Sequence, residues 1–158
     1  MRTFILILTT LFLFSSASGV ANRNVLNLTG ISGVEVYVEY DVDIKNIISE
    51  TAIKDKIEVI LRANGITVKP NSSELVKHPN VIMTHSIDGF FSGGLYVYTV
   101  STDIYSYVVD KNYIGRVVAL WSVGSFGTVG QSKISQLASD YEELLYAFIN
   151  DWQQANNK

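Results

Sequence analysis

In VEVYVEYDVD, residues 34–43, Val34, Val36, Val38, Tyr40 and Val42 alternate with Glu35, Tyr37, Glu39, Asp41 and Asp43. A period of two marks a strand with one packed face and one wet face. The acidic set is therefore expected in water. The period then changes. In SETAIKDKIEVILRANG, Ile53, Ile57, Ile60 and Leu61 recur at the spacing of one helix face. Ser49 or Thr51 suits the N-cap, and Gly65 suits the left-handed position after the last turn. ITVK follows as a short strand stopped by Pro70.

The second half has different punctuation. Residues 22–33 and 70–80 read as connections: a lead-in with turns at Gly30 and Gly33, then a polar loop bracketed by Pro70 and Pro79. VIMTHSID is a strand, GFFSGG a turn, and LYVYTVSTDIYSYVV a long strand of aromatic and β-branched residues. Tyr96 and Tyr98 have opposite parity to Tyr105 and Tyr107, which predicts a bulge near Thr102 and Asp103. DKNYIG is a turn and RVVALWSV another strand. From Lys133, the residues Ile134, Leu137, Tyr141, Leu144, Leu145, Phe148, Ile149 and Trp152 hold one helical stripe, with Ser132 as its N-cap. Strands follow one another after Asn80 without intervening helices. The predicted fold is α+β, a mostly antiparallel sheet with two helices packed on one face.

Not all of the apolar content belongs to that fold. The chain has 158 residues, 47% hydrophobic and 17% charged, which fits one domain. Its first residues, MRTFILILTTLFLFSSASGVA, place Arg2 before an uncharged apolar run, Phe4 to Phe14, and then small residues. That is the plan of a secretory signal peptide, and the run is shorter than the ~20 residues a bilayer span needs. The expected organisation is a signal peptide at 1–21 and a single α+β domain at 22–158, with cleavage after Gly19 or Ala21. With no cysteine, neither disulfides nor a lipid-modified cysteine is expected. The formal charge is −3, and loss of Arg2 makes it more negative. An acidic balance points away from nucleic acid and gives no reason to expect anionic lipid. No stable membrane insertion is expected after leader removal.

One stretch invites a nucleotide reading. WSVGSFGTVGQSK sets Gly124, Gly127 and Gly130 at every third position. A kinase loop would need glycine where Ser122 stands, and the other kinase motifs are absent. A P-loop would need lysine directly after its last glycine, but Gln131 and Ser132 intervene. A strand edge, bulge or turn is the expected reading, with an anion at the following helix N-terminus as the remaining alternative. His78 and His85 are the two histidines, seven apart and without a ligand pattern, so no metal is expected. Nothing selects Asp41 and Asp43 as a catalytic pair, and no serine sits in a nucleophile elbow. Asn27 and Asn71 fit the glycosylation pattern, which matters only in a glycosylating host. No catalytic residue and no cofactor are expected. The candidate partner or ligand surface is aromatic: Trp121, Phe126, Tyr105 and Tyr107. Cross-strand packing is the competing explanation for the same residues.

Four segments carry a resemblance. They are LRANGI at 61–66, GLYVYTVS at 94–101, LWSVGSFG at 120–127 and FINDWQQAN at 148–156. Together they resemble a family of small exported bacterial proteins without assigned function. The strand–helix–strand with LRANGI is more loosely similar to the N-terminal domain of the Tol–Pal periplasmic propeller protein. The resemblance implies export and a small α+β fold, and supplies no catalytic residues. The expectation is thus a periplasmic or secreted, non-enzymatic binding or assembly module of the cell envelope with an envelope protein as partner. A small-ligand or lipid-binding protein, or a minor hydrolase, are the alternatives.

Overall fold

Five strands and two helices form from these patterns: β1 (Gly33–Tyr40), α1 (Glu50–Ala63), β2 (Thr67–Val68), β3 (Val81–Ser92), β4 (Leu95–Val109), β5 (Gly115–Gly130) and α2 (Leu137–Ala155). The structure, a computed structural model, describes residues 23–40, 48–70, 81–109, 111–112 and 114–158; at 135, 136, 138 and 139 it describes the backbone alone. The expected leader at 1–21, Asp41, Val42, Asp43, Asn71, His78, Pro79 and Tyr113 lie outside the described residues.

The sheet runs β2-β1-β3-β4-β5. The long pairs β3–β4 and β4–β5 are antiparallel, while β1 is parallel to both its neighbours. The fold is α+β with a mostly antiparallel sheet. Helix α1 supplies the crossover that a parallel β1–β2 pair requires. Its ends are set locally. Ser49 Oγ accepts the Ala52 N–H at 3.3 Å, so of the two candidate caps it is Ser49 that serves. Gly65, with φ 79°, closes the helix: its N–H reaches Arg62 O at 3.1 Å and the Ile66 N–H reaches Leu61 O at 3.0 Å. That pair of bonds satisfies carbonyls the helix end would otherwise leave free.

The core lies between one sheet face and the helices. Val36, Met83, Ile104 and Trp121 align across four strands and are all fully buried. Ile53, Ile57 and Leu61 of α1, and Leu137, Tyr141, Leu145, Phe148 and Trp152 of α2, close over them. Each such side chain contributes roughly 1.5–3 kcal/mol by leaving water. The lead-in is tied to the far end of α2. Trp152 Nε1 donates to Ile31 O at 2.6 Å, and Asn156 both donates to Leu28 O and accepts from the Gly30 N–H.

Several local expectations change. Glu35 is fully buried, although it belongs to the alternate set of β1. Tyr37 OH donates to its Oε2 at 3.1 Å and Ile82 lies opposite on β3, so neighbours on that face cover it. GFFSGG is mostly strand, and only Gly93 and Gly94, both with positive φ, make the turn. The bulge is in β5 rather than β4: Ile104 pairs with Trp121 and Tyr105 with Ala119, which leaves Leu120 as the extra residue. Asn27 Nδ2 donates to the Leu120 carbonyl at 3.0 Å. Because β4 keeps its alternation, Tyr96 and Tyr98 face the helices while Tyr105 and Tyr107 take the opposite face. Gly124 to Gly130 is continuous strand. Ser132 caps no α-helix, because a 3-10 helix at Gln131–Gln136 precedes α2.

Candidate functional site

Two of the three spaced glycines of β5 stand at close approaches: a Cβ at Gly124 would lie 3.1 Å from the Val100 carbonyl, whereas one at Gly130 would meet nothing within 4 Å. A Cβ at Gly127 would meet Tyr98 Oη at 2.9 Å, and one at Gly115 would overlap the Tyr107 ring. On β3, a Cβ at Gly89 would meet the Tyr96 ring and the Val97 carbonyl. Gly89, Gly115 and Gly127 are seats for cross-strand tyrosines. No phosphate cradle is needed to account for them.

Seating Tyr98 over Gly127 carries its hydroxyl to Asp140 in the first turn of α2, to which it donates a short hydrogen bond. Burial, and then that carboxylate, hold the phenol far above its usual titration range. Beside this bond lies a groove of about 270 Å³ lined in part by Val123, Ser125, Glu143 and Leu144. Asp140 and Glu143 give it negative charge, which works against the anion considered for this helix end.

The opposite sheet face has no helix on it among the described residues. There β3, β4 and β5 present aligned rows: Ser86 beside Ser101 and Gly124, Thr84 beside Asp103 and Ser122, Thr99 beside Phe126. The hydroxyls form one chain. Ser101 donates to Asp103 Oδ2 at 2.7 Å, Ser122 donates to Asp103 Oδ1, and Ser86 lies 2.9 Å from Ser101. A hydroxyl has one proton, so Ser101 must accept from Ser86. Tyr105 flanks this row; burial, then the charges of Asp103 and Glu39, raise its pKa. At the other end, Asp88, Phe90, Val97, Thr99 and Phe126 border a shallow depression of about 340 Å³. Phe126 is 54% exposed and Phe90 58%.

Of the four aromatic candidates, the structure therefore puts Tyr105, Tyr107 and Phe126 on the helix-free face. Trp121 is corrected: it is 0% exposed, on the core side, with its ring edge-on to Phe148 and its Nε1 donating to Asp151 at 2.8 Å. The bulge at Leu120 separates its facing from that of Ala119, and no local signal announces it. Ser86, Ser101, Asp103 and Ser122 escaped the sequence reading because they lie on three strands, β3, β4 and β5, whose alignment became clear only with the pairing register. The one available signal was the parity that Ser101 and Asp103 share with Thr99 and Tyr105 on β4.

His85 lies in the core. Its Nδ1 is 3.0 Å from Thr102 Oγ1, its ring meets Tyr141 edge-on at 5.4 Å, and its Nε2 has no hydrogen-bond partner. Burial pulls its pKa down to about 4, so it is neutral at pH 7. Among the described residues no group of three or more His, Asp or Glu side chains is placed to hold a metal. No described helix is long and apolar enough to cross a membrane.

No protein-family model matches the chain, and no curated protein matches it. Solved structures do. A PelC variant dodecamer from Paraburkholderia phytofirmans is similar at 14% identity and a TM-score of 0.48, over 88% of this chain and 98% of that one. A structure described as an uncharacterised protein is similar at 10% identity and a TM-score of 0.31, over 78% and 87%. A minor lipoprotein from Acinetobacter baumannii is similar at 8% identity and a TM-score of 0.28, over 79% and 93%. Likeness at this level assigns neither activity nor partner.

Proposed function

We propose that this chain is an exported, non-enzymatic binding module that engages another component of the cell envelope through the helix-free face of its sheet. The observation that carries the reading is the state of that face. It leaves Phe90 and Phe126 more than half exposed beside an ordered row of hydroxyls around Asp103. Exposed aromatics next to preorganised polar groups are what a recognition surface uses. The leader-like plan of residues 1–21 supports export.

A hydrolase is less well supported. Asp103 is already engaged by two serine hydroxyls, and the nearest strand histidine, His85, points to the other side of the sheet. A ligand held between sheet and α2 would compete with Trp121, Phe148 and Tyr141 in the core, which leaves it only the groove of about 270 Å³ beside Tyr98 and Asp140.

The test is capture from the envelope fraction of the source cells. A saturable partner is expected for the wild-type protein. The Phe90→Ser/Phe126→Ser variant should lose it, and Val59→Ser on exposed α1 should keep it. A partner retained by the double variant would overturn the assignment to this face. A protein found only in the cytoplasmic fraction with residues 1–21 intact would overturn export.

A further inference from the structure

Strand β5 is the outermost strand on its side of the sheet, and among the described residues no segment pairs with its far edge. The free length is bounded at both ends. At one end Asn27 of the lead-in holds the Leu120 carbonyl at 3.0 Å, and at the other Gly130 gives way to the 3-10 helix. Between them, Trp121 to Val129 present an open backbone edge about 30 Å long at the usual strand rise. Long edges are ordinarily blunted by charge, proline or a bulge. Here the bulge lies at Leu120, outside the free length, and residues 117–132, VVALWSVGSFGTVGQS, hold no charged residue and no proline. The side chains also leave a fit incomplete. Three times in this sheet an aromatic ring lies against a glycine of the neighbouring strand: Tyr96 at Gly89, Tyr98 at Gly127 and Tyr107 at Gly115. On the helix-free side of β5, Gly124 and Phe126 are the two halves of such a pair, each without its complement. Gly124 faces Ser101, and Phe126, 54% exposed, faces Thr99.

We propose that β5 pairs antiparallel with β5 of a second copy of this chain, about a two-fold axis at Ser125. Ser125 is the midpoint of the free length. Pairing there sets Gly124 opposite Phe126 of the second copy and Phe126 opposite Gly124 of the second copy. A single register thus supplies both missing complements, which is the self-complementarity an isologous contact requires. The ring covers backbone that the glycine leaves bare, as it does within the sheet. The same register sets Ser122 opposite Thr128 of the second copy. The Ser122 proton is committed to Asp103, so its oxygen is free to accept from that threonine hydroxyl. Charge also favours a second copy. Although the chain has a formal charge of −3, the paired strands set no like charges opposite each other. The two helix-free faces join into one, with Phe126 of each copy still at its surface. The pairing therefore holds whether or not that face engages an envelope component.

The experiment is analytical ultracentrifugation of the purified protein, which should show a concentration-dependent monomer–dimer equilibrium. Single cysteines read the register, since the chain has none of its own. Under oxidation Ser125→Cys should give a disulfide-linked dimer, because residue 125 faces its own counterpart at the ~5 Å of opposed strand positions, within disulfide reach. Thr128→Cys should not, because that position lies six residues, roughly 20 Å, from its counterpart. Phe126→Lys, which a two-fold contact counts twice, should weaken dimerisation roughly tenfold or more with an unchanged urea midpoint. Should that variant fail to fold, the cysteine pair decides by itself. A wild type that stays monomeric overturns the proposal. So does a dimer that Phe126→Lys does not weaken, one that Ser125→Cys does not cross-link, or cross-linking at Thr128→Cys equal to that at Ser125→Cys.

Discussion

Trp121 donates its indole N–H to Asp151 Oδ2 at 2.8 Å, joining β5 to the last turns of α2 in the interior of the fold. The same carboxylate receives Arg23 at both oxygens, 2.9 and 2.7 Å. One acid thus ties together the lead-in, the edge strand and the final helix. The indole bond is the dominant one, because both of its partners are buried while the Arg23 side chain is 44% exposed and can reach water.

That inequality predicts an order. Asp151→Ala leaves the Trp121 donor buried without an acceptor and should cost about 1–3 kcal/mol. Asp151→Asn retains an acceptor and should cost less. Arg23→Ala removes a half-exposed pair and should cost ~1 kcal/mol or under. Urea denaturation of the three variants checks the order, and an Arg23→Ala cost equal to that of Asp151→Ala would contradict it.

Acid should destabilise the protein in two stages. His85 has a folded pKa of about 4, below the ordinary value of 6.5. The unfolded chain therefore takes up the proton first, and this contribution, complete above pH 6.5, declines as pH falls towards 4. The interval corresponds to about 3 kcal/mol at most. Asp151 acts lower. Burial raises its pKa, but the hydrogen bonds from Arg23 and Trp121 outweigh that and hold it below the usual carboxylate value. Its contribution is present above the unfolded pKa and is lost as pH falls through the folded one. Melting curves from pH 7.5 to 4 should show the first decline, and His85→Gln should flatten it.

Trp121 and Phe126 are close in sequence and opposite in role. Trp121→Ala should cost about 3–5 kcal/mol, the range for emptying a large buried site. Phe126→Ser, on the exposed face, should stay within ~0.5 kcal/mol. Equal losses in thermal melts would place Phe126 in the core and remove it from the recognition surface.

The tyrosine seats are also unequal. At Gly89 an alanine Cβ would lie 2.2 Å from the Val97 carbonyl, a backbone atom that cannot turn aside. At Gly115 it meets only the Tyr107 ring, which is half-buried and can swing into solvent. Gly89→Ala should therefore cost well over 1 kcal/mol, in the range of an overpacked site, and Gly115→Ala much less. Chemical denaturation of the pair distinguishes them, and equal midpoints would count against the contact.

Sequence periodicity was enough for β1, α1 with its Gly65 terminus, the long aromatic strand and the stripe of α2. The reason is physical: alternation and the helical repeat are local consequences of burying one face, and Gly65 answers a local backbone requirement. The bulge expected in β4 would have brought Tyr96, Tyr98, Tyr105 and Tyr107 to one face; β4 instead keeps its alternation and the two pairs face opposite ways. What parity could not supply was the strand to which the bulge belongs, since a bulge is a property of a pair of strands. Only the pairing register at Leu120 turned Trp121 inward, aligned Ser86, Ser101, Asp103 and Ser122, and let Tyr98 lie across Gly127 to reach Asp140. Burial of Glu35 and His85 was likewise a tertiary outcome, set by which neighbours cover each face. Local pattern decides which residues want to leave water; the register of strands distant in sequence decides which side of the sheet lets them.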